Sequence, residues 1–316
     1  MSTFILGNDA RRRTATFGGL AALALSLFIV GVVVGAWAGV VRIWPVRYSL
    51  QLIDGTPKPF LNEPESPPLA VDSAGRLLRY AGKTEVQCPK QTPRTAVLFI
   101  AGQSNAANSA AQRHATRYPD RVLNFLGGRC YVAASPLLGS SGFAGEYWTV
   151  MADELIDAGA FDRVILAPVA VGASNIGQWA KGGALNTSMI PLVQDLTTRY
   201  RVTHVLWHQG ESDFALRTDP ARYKEQFLSF ADTLRANAID APVFVSTATR
   251  CLTGWLEANG IRKAQQELAA GGPGFKPGVD TDKLLSAQDR YDDCHMADSG
   301  EVKSARAWAA LLTQNR

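Results

Sequence analysis

From Thr95 onward, apolar runs of strand length alternate with amphipathic stretches of helix length, and this alternation restricts the fold more than any other feature of the chain. Strands are predicted over Ala96 to Ala101, Val122 to Phe125, Val164 to Val171, His204 to Trp207 and Val243 to Ala248. Helices are predicted over Tyr147 to Ala158, Met189 to Tyr200, Pro220 to Ala236, Leu256 to Ala270 and Ser299 to Thr313. The strand runs are nearly continuous in Val, Ile and Leu, without period-two alternation, which is what parallel strands covered on both faces require. The expectation is a three-layer α/β domain with a central, mainly parallel sheet of about five strands. In such sheets functional groups collect beyond the carboxyl ends of the strands. That directs attention to the residues after Ala101, Trp207 and Ala248.

Ahead of this region lies a segment of a different kind. Phe17 to Val41 is a run of about 25 residues with no charge and Ser26 as its one hydroxyl, longer than the ~20 needed to span a bilayer as a helix. Trp37, Trp44 and Tyr48 gather at its far end, where aromatic rings favour the headgroup region, and Arg11, Arg12 and Arg13 precede it. The expected organisation is a cytoplasmic tail over 1–16, a transmembrane anchor over 17–41, a Pro-rich linker or covering segment over 42–93 and a catalytic domain over 94–316 outside the cytoplasm. Arg42, Arg47 and Lys58 weaken the charge bias, and Ala36-Trp37-Ala38 resembles a signal-peptide cleavage site, so a cleaved leader is the competing reading. Within the Pro-rich stretch, Tyr48 to Ile53 and Leu77 to Tyr80 are candidate short strands. The 32 basic and 28 acidic residues are scattered, which argues against a nucleic-acid-binding face.

Three sequence clusters carry chemistry. The first strand runs into Gly102-Gln103-Ser104-Asn105, followed by small residues suited to opening a helix. A serine there sits where amides favour a developing negative charge, although serine is also a common N-cap. The fourth strand runs into Trp207-His208-Gln209-Gly210-Glu211-Ser212-Asp213, where Gln209 offers an amide donor, and Glu211 and Asp213 either order the loop or are solvated charges. Near the carboxyl end, Asp292-Asp293-Cys294-His295 places an aspartate three residues before a histidine, able to turn back onto Nδ1 and leave Nε2 for a serine hydroxyl. Asp293 and Asp289 are the alternatives to Asp292. His114 and His204 have no partners at metal-ligand spacing and read as structural.

With these pieces in order, the sequence resembles the SGNH-hydrolase superfamily, and within it the sialate O-acetylesterase-like group that includes carbohydrate esterase family 6. The resemblance rests on GQSNA at Gly102 to Ala106, WHQGESD at Trp207 to Asp213, DDCH at Asp292 to His295, and the glycine-bearing loops Gly139 to Trp148 and Val169 to Trp179. It implies a flavodoxin-like sheet, Ser104 as nucleophile, His295 as base and Asp292 as its orienter. The implied oxyanion hole uses the Ser104 amide, a loop glycine amide from Gly145 or Gly142, and the Gln209 side chain, with Gln103, Asn105, His208 and Glu211 supporting the pocket. Glu146 and Ala173 depart from the family pattern.

The resemblance also implies an activity: removal of acyl groups, O-acetyl above all, from carbohydrate, with no metal or cofactor required. An O-acyltransferase acting on an exported polysaccharide would use the same triad. A catalytically silent glycan-binding module is a third reading. The implied partners are an acetylated carbohydrate and, through the N-terminal segment, the lipid bilayer. Cys88, Cys130, Cys251 and Cys294 fit either two bridges in an exported domain or four buried thiols. Cys251 and Cys294 belong at one end of a parallel sheet, so they are expected to pair, leaving Cys88 for Cys130.

Overall fold

In the computed structural model, residues 69–251, 255–272 and 274–315 are described. The apolar 17–41 segment, the tail before it and the strand expected at Tyr48 to Ile53 lie outside these residues. Among the described residues, no helix is long and apolar enough to cross a membrane.

Among the described residues, ten strands run in chain order: β1 (Ala70–Val71), β2 (Leu77–Arg79), β3 (Glu85–Val86), β4 (Thr95–Gly102), β5 (Val122–Leu126), β6 (Arg129–Val132), β7 (Arg163–Pro168), β8 (His204–His208), β9 (Val243–Thr247) and β10 (Phe275–Asp280). Eight form one sheet in the order β10-β9-β8-β4-β7-β5-β6-β3. From β10 to β5 all neighbours are parallel, whereas β6 and β3 add antiparallel pairs at one edge.

The sheet is therefore wider than the expected five strands. The five predicted strands are its contiguous parallel centre, and the additions lie at the edges. β6 returns from β5 through Gly127-Gly128, both at positive φ (57° and 76°), the two-residue turn whose twist suits a hairpin. β5 pairs with β7 on the side away from β4, so it and the hairpin extend the sheet outside β7. Set apart from β5 and its hairpin at the edge, the parallel strands stand in the order β7-β4-β8-β9-β10, the expected flavodoxin-like 2-1-3-4-5. β10 contains Pro277 and Gly278, a composition that a sheet admits at an edge.

Every residue of β4 is buried. Val97, Phe99 and Ala101 face one apolar cluster, while Ala96, Leu98 and Ile100 face the other. The first cluster is completed by helices Ala184–Arg199, Pro220–Ala236 and Gly260–Ala270, the second by Trp148–Asp157 and Asp298–Gln314. Burying each large aliphatic or aromatic side chain contributes about 1.5–3 kcal/mol, which fixes both faces of the strand that ends at Ser104. The helix at Pro220 starts where the sequence dictates: the Asp219 carboxylate accepts the Arg222 amide at 2.9 Å, with proline at the first helical position.

The residues before 94 are not a bare linker from Leu69 on. β1 and β2 pair antiparallel, and Leu77 donates its amide to Ser140 and accepts that of Gly139 at 3.0 and 2.8 Å. Arg76, almost fully buried, reaches the Asp72 carboxylate and the Ser188 carbonyl. A disulfide joins Cys88 to Cys130 on β6.

Candidate active site

β4 and β8 lie side by side at the point where the chain changes its direction of travel across the sheet, the place where open α/β sheets carry their functional groups. Their approach depends on Gly102. Its φ is +139°, and a Cβ would lie 2.0 Å from the His208 carbonyl oxygen. The Gln103 amide then donates to that oxygen at 3.0 Å, and a short 3-10 turn, Ser104–Ala106, begins. Ser104 is 8% exposed, at the mouth of the turn. Its amide and its hydroxyl have no hydrogen-bond partner among the described residues.

The histidine is held by a local turn. Asp292 Oδ1 accepts the amides of Cys294 and His295 at 3.1 and 2.6 Å, while Oδ2 meets His295 Nδ1 at 2.7 Å. Asp293 takes φ +65° within this turn. Burial disfavours the charged Asp292, but the His295 ring and amide outweigh it and hold the carboxyl below its ordinary value. Asp289 is turned elsewhere: it accepts from Ser286, Ser299 and Lys303 and anchors the start of the last helix.

The Cys294 carbonyl brings the histidine turn to the serine turn. Asn105 Nδ2 donates to Glu211 Oε1 at 2.9 Å and to the Cys294 carbonyl at 3.3 Å. Arg290 Nη1 donates to the same carbonyl at 2.6 Å. The residues on either side of this junction are Ser104 and His295. A second disulfide joins Cys294 to Cys251, just after β9. The backbone before Cys251 is itself fixed, because buried Asp282 accepts from the Thr249 amide and hydroxyl and from the Arg250 amide. Burial raises the Asp282 carboxyl above its ordinary value.

Behind the serine lies a buried polar layer. Glu211 Oε1 is 3.5 Å from His208 Nε2, close for charge and long for a hydrogen bond, and His208 Nδ1 meets the Tyr147 hydroxyl at 3.0 Å. Burial works against an ionised Glu211, but the His208 ring and the Asn105 amide prevail, and its carboxyl lies below the ordinary value. His208 is 1% exposed and touches no surface at which substrate could bind.

Two expected oxyanion donors are not placed to act. Gly145 gives its amide to the Ala110 carbonyl at 2.9 Å, and the Gln112 carbonyl oxygen lies where its Cβ would be. Gln209 is fully buried, and its amide nitrogen lies within reach of Asp213 Oδ2 (2.5 Å), the Ser174 carbonyl (3.1 Å) and Gln103 Oε1 (3.3 Å). An NH₂ group has two protons, and these acceptors consume both. Gly142 differs: it is partly exposed at φ +87° and its amide has no partner among the described residues. The Ser141 hydroxyl beside it accepts the Gly172 amide at 2.7 Å, and the position of a Cβ on Gly172 is 3.8 Å from the Ser104 Cβ. These contacts place Gly172, with the Ser141 hydroxyl on its amide, beside Ser104. Glu146, which departs from the family pattern, accepts the Thr149 amide and hydroxyl and so starts the helix at Trp148.

Arg290 and Tyr147 belong to this site and were not singled out from sequence. Their roles follow from burial across elements distant in the chain, for which spacing carries no signal. Among the described residues no group of His, Cys, Asp and Glu is arranged to hold a metal ion.

A family model described as carbohydrate esterase, sialic acid-specific acetylesterase, matches residues 94–314. Among solved structures, a protein from Arabidopsis thaliana is similar at 19% identity and a TM-score of 0.56, over 71% of this chain and 99% of that one. A carbohydrate acetylesterase from Xanthomonas citri is 16% identical, with a TM-score of 0.43, over 68% of this chain and 55% of its own. A carbohydrate acetylesterase from Sinorhizobium meliloti is 12% identical, with a TM-score of 0.44, over 71% and 100%. No curated protein matches the chain.

Proposed function

The chain belongs to the carbohydrate esterase family of sialic acid-specific acetylesterases, and from that membership and the site geometry we propose that it removes O-acetyl groups from carbohydrate through Ser104, His295 and Asp292. The observation that carries this reading is the Asp292–His295 pair at 2.7 Å, whose turn is fastened through the Cys294 carbonyl to the residue after Ser104.

Asp292 accepts a hydrogen bond from His295 Nδ1–H and fixes the tautomer in which Nε2 is the base. Nε2 takes the Ser104 proton as Oγ attacks the ester carbonyl. The negative charge that develops on the carbonyl oxygen meets the amides of Ser104 and Gly142, fixed donors that need no reorganisation. Collapse of the tetrahedral intermediate passes the proton from Nε2 to the leaving sugar oxygen and leaves acetyl on Ser104. Water, deprotonated by the same nitrogen, then releases acetate.

The two disulfides support a domain that works outside the reducing cytoplasm. With the apolar 17–41 stretch, they support a single membrane anchor carrying the catalytic domain on the far side.

Ser104→Ala is expected to abolish turnover of p-nitrophenyl acetate and labelling by a fluorophosphonate. Turnover near the wild-type rate in that variant would exclude this mechanism.

A further inference from the structure

Tyr291 combines features that its place in the fold does not require. It precedes Asp292 in the histidine turn, and 53% of its surface is exposed. Its ring lies stacked beside the His295 ring, with centroids 5.9 Å apart and planes 24° from parallel. Its hydroxyl donates to the Ser109 carbonyl at 2.9 Å and its amide to the His295 carbonyl at 3.0 Å. An exposed aromatic would ordinarily swing. This one is pinned at both ends, so contact with its open face costs little conformational freedom.

The chemistry decides what meets that face. To receive a proton, the leaving oxygen must come within about 2.6–3.2 Å of His295 Nε2. Whatever carries that oxygen extends over the surroundings of the imidazole, where the neighbouring Tyr291 ring stands with its plane 24° from that of the imidazole and its centroid 5.9 Å away. A pyranose offers a face of C–H groups bounded by hydroxyls. The aromatic face matches the first, and the partly exposed Asp292 carboxylate beside it offers an acceptor to the second.

Resting on the esterase reading above, we propose that Tyr291 is the docking platform for the pyranose that leaves, and that it sets the enzyme's selectivity for sugar esters over esters of simple alcohols. No electron or group passes through it; the bonds made and broken remain those at Ser104.

The test compares a mono-O-acetylated methyl pyranoside with ethyl acetate, whose leaving group has no ring. In Tyr291→Ala the ratio of kcat/KM for the sugar ester to that for ethyl acetate is expected to fall by about tenfold or more, mainly through KM. Tyr291→Phe keeps the ring without its hydroxyl and should hold that ratio within about threefold of wild type. An equal fall on both esters in the alanine variant would reduce Tyr291 to a support for His295 and overturn the proposal. An unchanged ratio would overturn it as well. Wild-type protein that cleaves neither ester is the separate outcome that removes the esterase reading, and this inference with it.

Discussion

Asp292 accepts three hydrogen bonds within its own turn, from the amides of Cys294 and His295 and from the imidazole. Asparagine at 292 keeps an oxygen for the amides and turns an NH₂ toward Nδ1, which favours the wrong tautomer and cannot stabilise imidazolium. Asp292→Asn is therefore expected to retain the fold and lose about 10⁴ in kcat, as the equivalent change does in a serine protease. Asp293 sits at positive φ with no hydrogen-bond partner for its carboxylate among the described residues, so Asp293→Asn should retain most activity. Steady-state kinetics of both variants side by side, with thermal midpoints, tests the assignment; a crippled Asp293→Asn beside an active Asp292→Asn would reverse it. This pair could be read from sequence because a spacing of three lets local geometry do the work. The oxyanion donors could not. Whether Gly145, Gly142 or Gln209 has a proton to give depends on acceptors from Ala110, Ser174 and Asp213, which only the fold brings near.

At the scale of elements, the sequence signal tracked burial. The five strands with continuous apolar runs are buried on both faces at the centre of the sheet, while β3, β6 and β10 carry exposed or proline-bearing residues suited to edges. Their short or broken patterns are legible only after the centre is in place. In the loop from Arg290 to Met296, Tyr291, Asp292 and Asp293 are exposed, and the loop is tied to the segment after β9 by the Cys251–Cys294 bridge. Replacing both cysteines with serine should lower stability by about 2–4 kcal/mol. It should also lower kcat, because the imidazole loses its fixed distance from Ser104. Denaturant unfolding together with turnover measures both effects. A variant that loses stability and keeps full kcat would show that Asn105 and Arg290 suffice to hold the loop.

For the molecule as a whole, the His114–Glu301 pair is one source of pH dependence. His114 Nε2 meets the buried Glu301 carboxylate at 2.7 Å, joining the loop after the serine turn to the last helix. The hydrogen bond to Glu301 is the largest cause that raises the His114 pKa above 6.5, with Glu146 and Asp298 adding to it and burial opposing. A raised folded-state pKa means that the added stability is fully present below about 6.5 and disappears as pH climbs through the folded value. The thermal midpoint of His114→Gln should therefore trail wild type most at pH 5.5–6 and approach it on the alkaline side. A gap that does not change with pH would rule out this source. The boundary of the working unit is a property of the same scale. The family match begins at residue 94, yet Leu77 is hydrogen-bonded to Gly139 and Ser140, three and two residues before Gly142, with Arg76 buried beside it. The loop that carries Gly142 is consequently coupled to the β1–β2 hairpin. For it to open, two strand-type hydrogen bonds and two buried side chains of the β1–β2 hairpin must come out together, so its opening free energy is set by residues that precede the catalytic domain's first central strand.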